Sequence, residues 1–276
     1  LTLVSATPVP TSDQTGKTTI YWTPFRGAQV ALYNGSTQWD IISYSETSIA
    51  LGTLTSGKNY DVFAYNSSGT LTLELSQAWS SDSARTDALV LQDGVLVKSG
   101  ATTRRYLGTF RTTSTTQTED SGGGSTTSVG GKRFLYNYYN RVRRGLAVKD
   151  TTSTWSYTTN TWRQARATAG NQVEFVQGQI EDAYEVVVSH AVAQSSGNPG
   201  AHTGFGINST STPSGFPAAV FNTGSGAEVR FTAHYSDLPP LGYTQMAWLE
   251  KGSATTCTFI GSEATAQTGL TAAVFG

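Results

Sequence analysis

The chain has 276 residues, a formal net charge of -1 and a charged fraction of 13%, about half that of an ordinary soluble domain. An aromatic content of 11% excludes a disordered chain, which would be poor in such rings, and no apolar run approaches the roughly 18 residues of a membrane-spanning helix. The single cysteine, Cys257, excludes an intramolecular disulfide and reads as a small buried apolar side chain, so stability must come from packing or from association.

Runs rich in Thr, Val, Tyr, Trp and Phe alternate with Gly, Asn and Ser, the pattern of strands between turns. The first strand is expected over 18–22. A second over 28–33 runs into Asn34-Gly35, a strong hairpin signal. Strands over 39–44 and 48–51 follow. The stretch 54–62, a Leu, a Gly turn and then Tyr60-Asp61-Val62, resembles the tyrosine corner of immunoglobulin-like and fibronectin-like sandwiches, in which the Tyr hydroxyl bonds to backbone upstream. Asn66 to Gly69 turns the chain into an alternating strand over 70–75. These elements predict a small β-sandwich over 1–80.

Residues 81–150 read as a basic connecting β region. A helix is expected over 83–91, then an Asp93-Gly94 turn and a strand over 104–113. Residues 115–131, rich in Thr, Ser and Gly, are expected to form a flexible surface loop. One continuous strand is expected over 132–144. At period two, Phe134, Tyr136, Tyr138 and Val142 share a core-like face, and Leu135, Asn137, Tyr139, Arg141 and Arg143 share a mixed aromatic and basic one. Between Lys98 and Lys149 there are ten basic and two acidic residues, against four and eight before and four and nine after. Arg104, Arg105, Tyr136, Tyr138, Tyr139, Arg141, Arg143 and Arg144 are therefore candidates for a contact between subunits or with an acidic partner. A nucleic-acid partner is not expected, because the acidic flanks hold the isoelectric point near 6.3.

Over 151–276, strands are expected at 154–157, 172–176, 183–192, 202–207, 228–235, 243–249 and 254–260, with turns at 195–200 and 212–215. Their number and spacing predict a jelly-roll-like β-sandwich. The chain as a whole is read as all-β.

Catalytic signatures are missing. His190, His202 and His234 are isolated, without zinc-ligand spacing. No nucleophile elbow or phosphate loop occurs. Glu174, Glu181, Asp182 and Glu185 are the only clustered carboxylates. A glycosidase would need two of them about 5–10 Å apart across a sugar, but these are confined to one hairpin-like stretch, which leaves calcium binding or solvated turns as readings. Trp155, Tyr157 and Trp162 are candidates for stacking on a glycan, and the same rings equally suit a core or an interface. No catalytic residue, metal site or cofactor is expected.

Four blocks carry a resemblance: 21–33 (YWTPFRGAQVALY), 54–65 (LTSGKNYDVFAY), 99–113 (SGATTRRYLGTFRTT) and 132–144 (KRFLYNYYNRVRR). They are similar to blocks in virion components of tailed bacteriophages and prophages, of the tail fibre or appendage kind. The resemblance implies a β-rich, non-enzymatic appendage on the exterior of the particle, commonly a homotrimer. Its implied partners are other virion proteins and a host-surface glycan, with no nucleic acid and no membrane span. A tail fibre or receptor-binding protein is one expectation; a capsid decoration protein or head fibre is the alternative. The chain opens on Leu1 rather than Met, as expected of a processed chain or the distal part of a longer fibre.

Overall fold

The β-branched and aromatic runs do become strands, and the computed structural model is nearly all β. It describes residues 1–194, 200–221, 228–253, 256–262 and 267–276; the expected turn at 195–200 falls largely outside them. The first ten strands are β1 (Gln14–Lys17), β2 (Thr19–Trp22), β3 (Gln29–Tyr33), β4 (Trp39–Ser43), β5 (Thr47–Ala50), β6 (Asn59–Ser67), β7 (Thr70–Leu75), β8 (Leu89–Gln92), β9 (Val95–Lys98) and β10 (Ala101–Arg111). Then come β11 (Thr118–Thr127), β12 (Gly130–Arg133), β13 (Leu135–Asn137), β14 (Arg143–Lys149), β15 (Thr154–Tyr157), β16 (Arg163–Gln164) and β17 (Gln172–Gln177). The chain ends with β18 (Tyr184–Gln194), β19 (Gly200–Ile207), β20 (Ser214–Phe221), β21 (Glu228–Asp237), β22 (Gly242–Lys251), β23 (Cys257–Ile260) and β24 (Gly269–Phe275).

A first sandwich stacks the sheet β7-β6-β10-β9-β8, with β13 added on β10, against the pairs β2–β5 and β3–β4. Ile20, Leu32, Tyr60, Val62 and Phe110 fill the space between. The tyrosine corner is present: the Thr55 amide donates to the Tyr60 hydroxyl at 2.9 Å. Local turn chemistry sets the hairpins. Ser68-Gly69 and Asp93-Gly94 each hold two consecutive positive φ angles, the two-residue geometry that matches strand twist. Asn34 instead caps a longer loop, its Oδ1 accepting from the amides of Ser36, Thr37 and Gln38.

The second unit is one larger sheet, β15-β23-β18-β24-β14-β11-β12-β17-β22-β19-β20, with β21 on β18. It curls until β20 meets β21, where Phe216 packs edge-on to Tyr235 at 5.9 Å. Val173, Phe175, Val186, Val188, Met246, Trp248 and Leu270 form its core. Two of its pairings, β11 with β14 and β12 with β17, are parallel. Cys257 is buried in a smaller cluster with Val192, Ala201 and Phe259.

Three sequence expectations are corrected. Residues 83–91 form no helix; 89–92 pair as β8 with β9, because Leu89, Val90 and Leu91 favour a ladder and Ser81-Asp82-Ser83 favours a turn. Residues 115–131 are not a surface loop. Most of them form β11 and β12, with β11 hydrogen-bonded to β1, β12 and β14. The glycines there serve close approach: a Cβ on Gly123 would lie 2.1 Å from the Gly131 nitrogen, and one on Gly130 would lie 1.6 Å from the Gln172 oxygen. The expected strand over 132–144 is broken into β12 and β14 in the second sheet and β13 in the first. Its predicted faces are therefore lost, since alternation holds only within one uninterrupted strand.

A polar cluster joins the two units. Asp61 on β6 is fully buried. Its Oδ1 accepts from the Thr109 hydroxyl at 2.6 Å, and its Oδ2 from Trp79 Nε1 at 3.1 Å and Arg85 Nε at 2.8 Å. Arg85 Nη2 then donates to the Gly178 carbonyl, just beyond β17, at 2.6 Å. The Tyr106 hydroxyl lies 2.7 Å from Thr109 Oγ1, and a Cβ on Gly178 would come within 2.1 Å of it. Burial pushes the Asp61 carboxyl up, and Arg85 pulls it back. Asp61→Asn should cost about 3–5 kcal/mol, because it strands Arg85 in a buried site. Urea denaturation measures this, and a loss below about 1 kcal/mol would show that the seam is held elsewhere.

Asp150, also fully buried, is a second centre. It accepts from Arg166 Nε at 2.6 Å, the Thr152 amide at 3.0 Å, Asn171 Nδ2 at 3.1 Å and Ser128 Oγ at 3.1 Å. Burial raises its pKa, but these donors outweigh it and bring it to about 2. A carboxyl depressed in the fold stabilises above its unfolded pKa, and that contribution is lost as pH falls through the folded value. Asp150→Asn should therefore be less stable than the parent at neutral pH, with the gap closing between about pH 4 and pH 2; denaturation across that range reads it directly.

Candidate functional site

Most of the basic middle segment is paired within the chain. Lys98 pairs with Glu74 and Asp87, Arg104 with Glu74, and Arg111 with Asp82. Arg133 and Arg144 share Asp120. Arg141 bridges Glu181 at 2.7 Å and Asp182 at 2.5 Å, and Arg143 pairs with Glu185. Three of the four clustered carboxylates are thus counter-charges to arginine. Glu174 stands apart, accepting from the Tyr243 hydroxyl at 2.9 Å. Among the described residues no group of three or more His, Cys, Asp or Glu side chains is placed to hold a metal ion. Of the candidate contact residues, Tyr136 is fully buried and unavailable to a partner. Tyr138 packs edge-on to Tyr139 at 4.9 Å and lies under Arg141.

The three candidate glycan-stacking rings do not form one platform. Trp155 is packed among His190, Trp248 and Phe259, and its Nε1 donates to the buried Glu250 at 2.7 Å. Tyr157 is covered by the Arg163 guanidinium, 3.6 Å from the ring centroid. Trp162 meets His202 edge-on and lies near Lys251. His190 is fully buried, and burial lowers its pKa to about 3, so it is neutral. The Thr203 hydroxyl donates to the Leu249 carbonyl, so the imidazole proton sits on Nδ1, facing Thr203 Oγ1 at 3.3 Å. It is a core group rather than a general base.

The open site lies on the first sandwich. A cleft of about 450 Å³ runs between the segment before β1, the β2–β3 turn and the residues after β13. On one wall Trp22 and Tyr44 stack at 4.6 Å. Phe25 is 41% exposed, with the Arg26 guanidinium 5.1 Å from its centroid. Arg26 holds φ +61°, a strained value for a side chain of this size that recurs at binding sites. The other wall carries Asn137, Tyr139, Asn140 and Arg105. Arg105 donates from Nε to the Tyr139 hydroxyl at 2.9 Å and from Nη1 to the Ala31 carbonyl at 2.7 Å. Among the described residues no carboxylate, histidine or cysteine lines the cleft.

Sequence reasoning singled out Arg105 and Tyr139 but missed Trp22, Phe25, Arg26 and Tyr44. The available signal was Pro24-Phe25-Arg26-Gly27, an aromatic and a cation placed in a turn that breaks the strand pattern. Elsewhere the pairing suggests modest energetics. Arg141 and its two partners are each partly exposed, so Arg141→Ala should cost no more than about 1 kcal/mol. That cost should shrink in high salt; thermal melts at two ionic strengths measure both.

No family model and no curated protein matches this chain. Among solved structures it is similar to dimeric latent PorU from Porphyromonas gingivalis, at 11% identity and a TM-score of 0.32, over 81% of this chain and 24% of that one. It is also similar to a Cry1Da tryptic core variant from Bacillus thuringiensis, at 7% identity and a TM-score of 0.22, over 95% of this chain and 51% of that one. The chain thus spans about a quarter of the first protein and about half of the second.

Proposed function

We propose that the chain is a non-enzymatic structural component of a bacteriophage virion, an exterior appendage of the tail-fibre or receptor-binding kind that contacts the host surface. The observation that carries this reading is the open cleft. Three of the four blocks that resemble phage appendage proteins meet there: 21–33 supplies Trp22, Phe25 and Arg26, 99–113 supplies Arg105, and 132–144 supplies Asn137, Tyr139 and Asn140. A rigid β-sandwich presenting aromatic and polar side chains in a concave site is the form of a binding surface. The carboxylates that would serve glycan cleavage are instead held by arginine and tyrosine, which supports binding without turnover.

The threefold assembly rests on the resemblance; the charge pairing within the chain leaves little opposite charge to share between copies. Light scattering should give about three times the 29.3 kDa chain mass if the homotrimer forms, and a monomer would remove it. Antibody against this chain should label the tail of intact virions. Labelling spread over the shell would favour capsid decoration, and unlabelled particles would overturn the virion reading.

A further inference from the structure

We propose that the cleft on the first sandwich is a binding site for a carboxylate-bearing saccharide. Charge singles this cleft out. The sequence has twelve arginines, and ten of them form ion pairs within the chain. The two without an ion pair among the described residues are Arg26 and Arg105, and both line this cleft. In a fold that matches nearly every guanidinium to a carboxylate, two unmatched ones facing the same concave space mark a place for an external anion. Glu46 accepts from Thr23 on the lining and from Ser5 and Ala6, and it forms no ion pair with either arginine.

The rest of the lining sets the class of ligand. Arg105 spends Nε and Nη1 on Tyr139 and Ala31, which fixes its plane and leaves Nη2 without an acceptor among the described residues. A guanidinium held in this way presents directional donors suited to a carboxylate. The rings of Trp22, Tyr44 and Phe25 offer apolar faces to the C–H face of a pyranose. Side-chain amides of Gln29 and Asn140 offer donors and acceptors to its hydroxyls, while the buried Asn137 amide is held by the Leu1 carbonyl and the Asn140 backbone amide. A volume of about 450 Å³ falls within the range of small-ligand sites. The choice of a saccharide over other carboxylates rests on the host-surface reading above; the anionic character of the ligand rests on the cleft alone.

The full chain titrated calorimetrically with a galacturonate trisaccharide tests this. Saturable binding is expected, about tenfold or more tighter than for the neutral galactose trisaccharide, and weakening as salt rises. Arg26→Gln and Arg105→Gln should each weaken it by about tenfold or more. The Arg26 side chain makes no hydrogen bond or ion pair among the described residues, so its variant keeps the fold and keeps the test decisive if Arg105→Gln does not fold. The proposal is overturned if the acidic sugar binds no better than the neutral one. It is also overturned if both variants bind as the parent does, or if a glutamate tripeptide binds as tightly as the sugar. Virion labelling is a separate readout. A chain found on particles with an inert cleft overturns this inference alone, and a cleft that binds in a chain absent from particles overturns the appendage reading alone.

Discussion

Asp61 lies on β6 with no solvent exposure, and an ionised carboxyl in such a place is tolerable only when its lone pairs are met by donors. Thr109, Trp79 and Arg85 meet them, and Arg85 then spans to the carbonyl of Gly178 in the other unit. The cluster therefore defines geometry as well as contributing energy. A guanidinium forced to satisfy a carboxylate on one side and a carbonyl on the other admits one spacing between the sandwiches. Trp79, 4.3 Å from the Arg85 guanidinium carbon, shields the pair from water. Apolar contact alone would tolerate sliding; directional bonds in a low dielectric do not.

The middle of the chain is divided between the two units. β8, β9, β10 and β13 complete the first sandwich, while β11, β12 and β14 build the second. This division explains the uneven charge of the sequence. A basic segment threaded through both sheets reaches acidic residues on either flank, Glu74, Asp82 and Asp87 on one side and Glu181, Asp182 and Glu185 on the other. Opposite charges far apart in sequence become neighbours in the fold, as in Arg104 with Glu74 in the first unit and Arg143 with Glu185 in the second. The two arginines left over then stand out against a background of matched pairs.

What could be read from the sequence was local. The all-β class followed from composition, the Ser68-Gly69 and Asp93-Gly94 turns from their glycines, and the Tyr60 corner from one short motif. What could not be read was decided by non-local pairing. The glycines of 122–124 look like a flexible linker until the strands they lie between are known. The chain over 132–144 has strand composition throughout, yet Phe134 turns it from one sheet to the other, its amide donating to the Glu119 carbonyl at 3.2 Å. The cleft was illegible for the same reason: Arg26, just before β3, and Arg105 on β10 line one cleft only because β3 and β10 belong to facing layers of one sandwich.

The threading of the middle segment also sets an order of events for the nascent chain. The first sandwich lacks β13 until residue 137 has been made, and Asp61 lacks its link across the seam until Gly178 has followed. β24, the final strand here, lies between β14 and β18, pairing Arg143 with Phe275 on one side and Glu185 with Ala273 on the other. Until it inserts, two long strands present unpaired edges, the kind that recruit other chains. Such high contact order slows folding and lengthens the exposure of those edges. The same closure obstructs the reverse path, since unfolding must extract a central strand before the sheet can open.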